Sequence, residues 1–150
     1  MSDLRVTQDM FRPTTVVGNT VDASHAAQST SVTAVTSAVG QTSALSRLSS
    51  PPVARLGGTG LTSSSDLQTA AQAMVDRASM ALVAEGTVDA SVGPLRPADV
   101  ITLAGAGPAY SGPWVVRRVS HRISADGYSQ RFTAARNAVG NPSLLASVGA

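Results

Sequence analysis

The sequence predicts a mainly β protein with one helix, of the α+β class and antiparallel in its pairing. Three observations carry this. Asp126-Gly127 stands between two β-rich runs, SGPWVVRRVSHRIS (111–124) and YSQRFTAAR (128–136). Asp-Gly tolerates the positive φ angles of a tight hairpin turn. Helical spacing is clear in one segment, where Leu67, Ala70, Ala71, Met74, Val75 and Ala78 fall on one face. Finally, 13 Gly and 8 Pro in 150 residues favour turns and short strands over a helical bundle.

Taken in chain order, residues 1–150 read as a single domain. LRVTQDMF (4–11) and TTVVGNTVDA (14–23) read as two short strands, with Arg12-Pro13 at the break. Pro lacks an N–H and suits an edge or a turn. Residues 24–50 are biased to Ser, Thr, Ala, Val and Gln and bury little surface per residue, so they read as a mobile loop or arm. PPVARLGG (51–58) gives a short edge strand. The helix follows, with Ser65 and Gln68 fitting a capping box and Asp66 in the first turn. Its apolar face is made mostly of small residues and can lie close on a sheet. SMALVAEGTVDA (79–90) is a strand ending near Gly86, and DVITLA (99–104) is another. On the last strand, Tyr128, Gln130, Phe132 and Ala134 share one face, and Ser129, Arg131 and Thr133 the other. On the strand before it, unbroken alternation puts Val115, Arg117, Val119, His121 and Ile123 on one face. Arg118 and Arg122 then join Trp114 on the opposite face. The tail at 137–150 reads as a surface-running terminus.

Composition narrows the function. Apolar residues are 43% and aromatics 3%, so the core is aliphatic and tightly packed. With no Cys there is no disulfide framework and no thiolate metal site. Eleven basic residues, all Arg, face nine acidic ones; a net charge of +2 is a weak field for non-specific nucleic-acid binding. No stretch approaches the roughly 20 apolar residues of a membrane helix, so no membrane insertion is expected. The N-terminus MSDLRVTQDMFRP lacks the apolar core of a signal peptide.

The densest chemistry lies in YSGPWVVRRVSHRISADGYSQRF (110–132). A Ser–His–Asp reading would join His121 to Ser120 or Ser111 and to Asp126 or Asp99. However, Ser120 and His121 are strand neighbours and point to opposite faces, and no nucleophile elbow is present. Two His, no Cys and one Glu make a poor metal-ligand set. There is no Lys for a phosphate loop, and GGTG (57–60) and GAG (105–107) read as turns. No cofactor is expected. Arg118 and Arg122 beside Trp114 would suit base stacking with phosphate contact. The simpler reading is a solvated strand face whose Arg stems cover apolar surface. A third is a face that pairs with an acidic partner subunit.

The run LRPADVITLAGAGPAYSGPWVVRRVSHRISADGYSQRF resembles the C-terminal part of the phage late control D family, the baseplate-hub proteins of contractile phage tails and related injection systems. The matching positions are Leu95-Arg96-Pro97, Asp99, Gly105, Gly107, Ser111-Gly112, Trp114, Val119, His121, Gly127-Tyr128 and Phe132. The helix leading into RASMALVAEGTV also fits, and LRVTQDMFRPTTVVGNT fits more loosely. Three positions depart: Ala98 stands where the family has Gly, Ile123 where it has an aromatic, and Pro113 precedes Trp114.

The resemblance implies an antiparallel β-barrel of the tail-tube/baseplate-hub type and a non-enzymatic, structural role. In full-length members three chains of two barrels make a pseudo-sixfold ring that joins tail tube to central spike. This chain then resembles the second barrel alone. It would form a trimer or hexamer ring by itself, or with a separate chain supplying the first barrel. Its other partners would be the spike protein, the tail tube and further baseplate proteins. It would assemble in the bacterial cytoplasm and reside in the tail baseplate of the virion or injection particle. Leu95, Pro97, Gly105, Gly107, Ser111, Gly112, Trp114, His121, Gly127, Tyr128 and Phe132 would be framework, with His121 pinning the hairpin by a hydrogen bond. Arg117, Arg118, Arg122 and Arg131 would lie at or near a subunit interface or a lumen, with no specific nucleic acid bound. A tail-tube or tube-initiator protein of the same fold is the first alternative. A small β-barrel enzyme using His121 and a nucleic-acid-binding barrel are the others. In a ring, the 24–50 arm would strap neighbouring subunits together. Deleting residues 24–50 is therefore expected to abolish ring assembly in native mass measurements; a deletion variant that still assembles would rule the strap out.

Overall fold

The computed structural model describes residues 2–18, 42–45, 49–50, 52–56, 63–125 and 127–140. In chain order the elements are β1 (Ser2–Gln8), β2 (Thr15–Gly18), β3 (Thr42–Ser43), β4 (Val53–Leu56), α1 (Ser64–Ser79), β5 (Leu82–Asp89), a 3-10 turn (Ala90–Val92), β6 (Val100–Leu103), β7 (Gly112–Ser124), β8 (Gly127–Arg136) and β9 (Ala138–Val139). They fall into two compact units. One gathers Met1–Asp9, Ala38–Ala44 and Met80–Ala150; the other gathers Met10–Ser37 and Leu45–Ser79.

The first unit is built on a five-stranded sheet of order β1-β5-β8-β7-β6. Every pairing in it is antiparallel, and the sheet curls into a half-barrel. One face is apolar because the strands alternate in phase. Leu82, Ala84, Gly86 and Val88 of β5 stand opposite Arg136, Ala134, Phe132 and Gln130 of β8. Val116 of β7 stands opposite Ala134. Trp114 stands opposite Ile101 of β6. Trp114, Phe132, Leu82, Gln130 and Val116 are among the largest fully buried side chains. This small set of wide side chains in a row of Ala, Gly and Val gives the close packing that an aromatic-poor composition requires.

Three sequence expectations need correction in this unit. β5 does not end near Gly86 but runs on to Asp89, because Gly86 lies beneath the Phe132 ring. A Cβ there would come within 3.1 Å of ring atoms Cε1 and Cζ. Second, the alternation of β7 breaks. Val116 pairs with Ala134 but Arg118 pairs with Thr133, so Arg117 is an extra residue in a β-bulge. Beyond it Val119, His121 and Ile123 stand opposite Phe132, Gln130 and Tyr128 and lie on the Trp114 side of the sheet. Arg118 and Arg122 lie on the other side, with Val115. The face shared by Trp114, Arg118 and Arg122 therefore does not form. Third, the arm and the tail each contribute a short strand. Thr42–Ser43 of the arm pairs with Ala138–Val139 of the tail. The Gln8 side-chain amide donates to the Ala44 carbonyl at 2.8 Å, and Asn137 and Ala138 are buried. Residues 24–41, 46–48 and 141–150 lie outside the described residues.

In the second unit β2 and β4 pair in parallel, Thr15 with Val53 through Gly18 with Leu56. Val16 packs with Leu67, Ala71 and Val75 of α1, flanked by Ala54 and Leu56. The buried stripe of the helix, Leu67, Ala71, Val75 and Ser79, recurs every four residues. It is narrower than the predicted face, and Met74 is left exposed. The helix also begins earlier than Ser65. The Leu67 N–H donates to the Ser63 carbonyl at 3.1 Å, which makes Ser63 the residue that opens it, with Asp66 three positions on. Among the described residues, no helix is long and apolar enough to cross a membrane.

Gly86→Ala is expected to cost about 1–3 kcal/mol through overpacking against Phe132. Most of that loss should vanish in a Phe132→Leu background, where the ring is absent. Denaturant midpoints of the four-member cycle measure this coupling.

Candidate functional site at the β7–β8 hairpin and its supporting loops

The matched residues fall in two loops and one hairpin, all attached to the β7–β8 pair. The first loop joins the 3-10 turn to β6. Leu95 is buried, and its N–H donates to Gln130 Oε1 at 2.7 Å. Gln130 Nε2 donates to the Gly93 carbonyl at 2.6 Å. Gln130 is buried, and both its amide oxygen and its amide nitrogen have a partner. Pro97 sits in the turn that follows. Asp99 Oδ2 accepts from the Arg96 N–H at 2.7 Å, and the Asp99 N–H returns to the Arg96 carbonyl at 3.2 Å. Ala98 has φ 75°, a left-handed conformation that Gly adopts more readily. This is the position where the resembled family has Gly. The Ala98 N–H then donates to the Val116 carbonyl, and the Val116 N–H to the Asp99 carbonyl, each at 2.8 Å. The turn thus grips β7 one residue before the bulge.

The second loop joins β6 to β7. Gly105 and Gly107 have φ 77° and 84°. The N–H groups of Tyr110 and Ser111 both donate to the Gly107 carbonyl, at 3.2 and 2.9 Å. The Trp114 indole Nε1 donates to the Tyr110 carbonyl at 2.9 Å. From β8, Arg136 Nη1 donates to the Ser111 carbonyl at 2.9 Å and Nη2 to the Gly140 carbonyl. The Gly140 N–H closes the ring of contacts on the Ala109 carbonyl at 2.9 Å. Arg136 is 3% exposed and its Nε has no partner among the described residues. Burial pushes its guanidinium below the ordinary arginine range.

The hairpin itself is open to solvent. His121 Nδ1 and the Tyr128 hydroxyl are 2.6 Å apart. Their rings stack nearly parallel, with centroids 5.9 Å apart and 7° between planes. The two residues are diagonal neighbours, since His121 stands opposite Gln130 and Tyr128 opposite Ile123. On the other side of the sheet Arg118, Ser120 and Arg122 stand opposite Thr133, Arg131 and Ser129. Arg131 therefore sits between Arg118 and Arg122, and all are exposed, as is Arg117 in the bulge. Gly127 closes the hairpin opposite Ser124, and Asp126 lies outside the described residues. At the hairpin end of the sheet Asp89 of β5 stands opposite Ser129, and its carboxylate accepts from the hydroxyl and the N–H of Ser91. These bonds hold it below the usual carboxylate range.

Chemically, the site offers framework contacts and a row of guanidinium donors. Among the described residues no group of three or more His, Cys, Asp or Glu gathers as a metal set would. His121 binds the Tyr128 hydroxyl, while Ser111 contributes its carbonyl to Arg136. Sequence reasoning missed Gln130 and Arg136 as key contacts. The signal was a polar residue at an inward position of the most apolar strand row. Compared with known proteins, the chain matches no protein-family model and no curated sequence.

Gln130→Met keeps the bulk but leaves the Leu95 N–H and Gly93 carbonyl without partners. A loss of about 2–4 kcal/mol is expected for two such groups, read from urea denaturation. A loss below 0.5 kcal/mol would remove Gln130 from this role.

Proposed function

We propose that the chain is a structural hub component of a contractile phage tail or phage-tail-like injection machine. It acts by assembling into a ring that links tail tube to central spike, with no chemistry of its own. One observation supports the reading: several residues on which the late control D resemblance rests bond or pack within the sheet and its loops. Leu95 is tied to Gln130. Gly105 and Gly107 take left-handed angles in the loop that the Trp114 indole and Arg136 hold. His121 and Tyr128 brace the hairpin, and Phe132 packs on Gly86. The curled antiparallel sheet leaves β1 as an edge strand among the described residues, and a neighbouring subunit that covers it would close the ring. The partners would be further copies of the chain, the spike protein, the tail tube and other baseplate proteins.

The test is the native mass of the purified chain, alone and co-expressed with the neighbouring tail gene products, by light scattering and negative-stain imaging. A three-copy ring, or a ring formed only with a partner chain, is the expected result. A six-copy ring would also fit the hub reading, whereas six-copy rings that stack into a continuous tube would shift the assignment to a tail-tube or tube-initiator protein. A monomer that joins no particle would overturn both.

A further inference from the structure

β6 covers only the first third of the neighbouring strand. Its register on β7 runs from Leu103 opposite Gly112 to Val100 opposite Val115. The 96–99 turn then takes the backbone of Val116. From Arg117 to Ser124 one side of β7 pairs with β8, and among the described residues nothing pairs with the other. In an antiparallel strand every second N–H and C=O faces away from its partner, so this edge offers a row of unused donors and acceptors. Long uncovered edges invite strand pairing and are usually blunted.

The side chains along the edge define what fits it. One side of the sheet carries Arg118 and Arg122 on β7 with Arg131 between them on β8. Among the described residues none of the three, nor Arg117, has an ion-pair partner. The carboxylates on this side of the sheet lie on β5, two strands from the edge: Glu85 stands opposite Thr133 and Arg5, and Asp89 stands opposite Ser129 and takes Ser91. The other side carries Val119 and Ile123, the latter 84% exposed. Edge and charge together select an extended chain with period-two alternation, acidic toward the arginines and apolar toward Val119 and Ile123. Arg118 and Arg122 are ~13 Å apart along the strand, a spacing that a paired strand matches in register. A nucleic-acid backbone would gain the charge but not the edge hydrogen bonds.

We propose that the 117–124 edge of β7 is a docking site for an acidic extended segment of a protein partner, which adds to the sheet as a further strand. The inference is drawn from the strand edge and stands apart from the hub reading, since peptide binding and ring assembly succeed or fail independently.

The probe is a fluorescein-labelled eight-residue peptide of alternating Glu and Val, titrated with the full chain at low salt and followed by anisotropy. Saturable binding is expected, weakened at least about tenfold by Arg118→Glu with Arg122→Glu, and weakened by added salt. A Lys–Val peptide and a Glu–Val peptide methylated on alternate backbone nitrogens should not bind. These two probes leave the protein unaltered, so they decide the matter even if the double variant fails to fold. Equal binding of the methylated peptide would overturn strand addition. Tighter binding of a labelled DNA duplex would overturn the protein-partner assignment. Self-association that Arg118→Glu with Arg122→Glu abolishes and that the Glu–Val peptide does not compete would assign the edge to a second copy and overturn it also. Absence of Glu–Val binding would overturn it outright.

Discussion

The buried amide of Gln130 is the contact on which the arrangement of the hairpin depends. It lies on β8, the central strand, at a position that otherwise faces Val88 in an apolar row. A buried amide is tolerated only when its donors and acceptor are used. Here Oε1 takes the Leu95 N–H and Nε2 gives to the Gly93 carbonyl. That pair of bonds pulls the chain between β5 and β6 over the sheet. The following turn, closed by Asp99, then engages both backbone groups of Val116. The bulge falls on the next residue. Because a bulge inverts the phase of every side chain beyond it, this chain of contacts decides that Arg118 and Arg122 face away from Trp114.

At the other end of the sheet Arg136 has a comparable part. It sets a buried guanidinium in the apolar row, with Nη1 and Nη2 bonded to the carbonyl oxygens of Ser111 and Gly140. Two loops are thus pinned by two polar side chains of one strand, while the outer part of the β7–β8 hairpin is left free. The buried contacts that hold the sheet and the exposed residues of the edge are different, so the edge can be altered without dismantling the sheet.

Much of this was legible in the sequence. The Asp-Gly turn marked the hairpin, and the alternation of Tyr128, Gln130, Phe132 and Ala134 gave the inner row of β8. The helix was legible because its period is local. The bulge was not legible: an inserted residue leaves the local alternation looking regular, and it shows only against the partner strand. The same applies to Thr42–Ser43, whose pairing with Ala138–Val139 spans most of the chain, and to the parallel β2–β4 pair. Gly86 looked like a strand end because a Gly signals a break, yet here it makes room for the Phe132 ring. At the site, the resemblance picked out Leu95, Trp114 and His121 but not the Gln130 and Arg136 side chains that hold two of its segments in place.

Amide hydrogen exchange of the isolated chain tests the central division between anchored body and open edge most directly. The amides of β8 from Gln130 to Ala135 should be the slowest, and alternate amides from Arg117 to Ser124 should exchange orders of magnitude faster than their neighbours. Uniform protection of 117–124, as slow as β8, would show the edge already covered and would contradict the arrangement described.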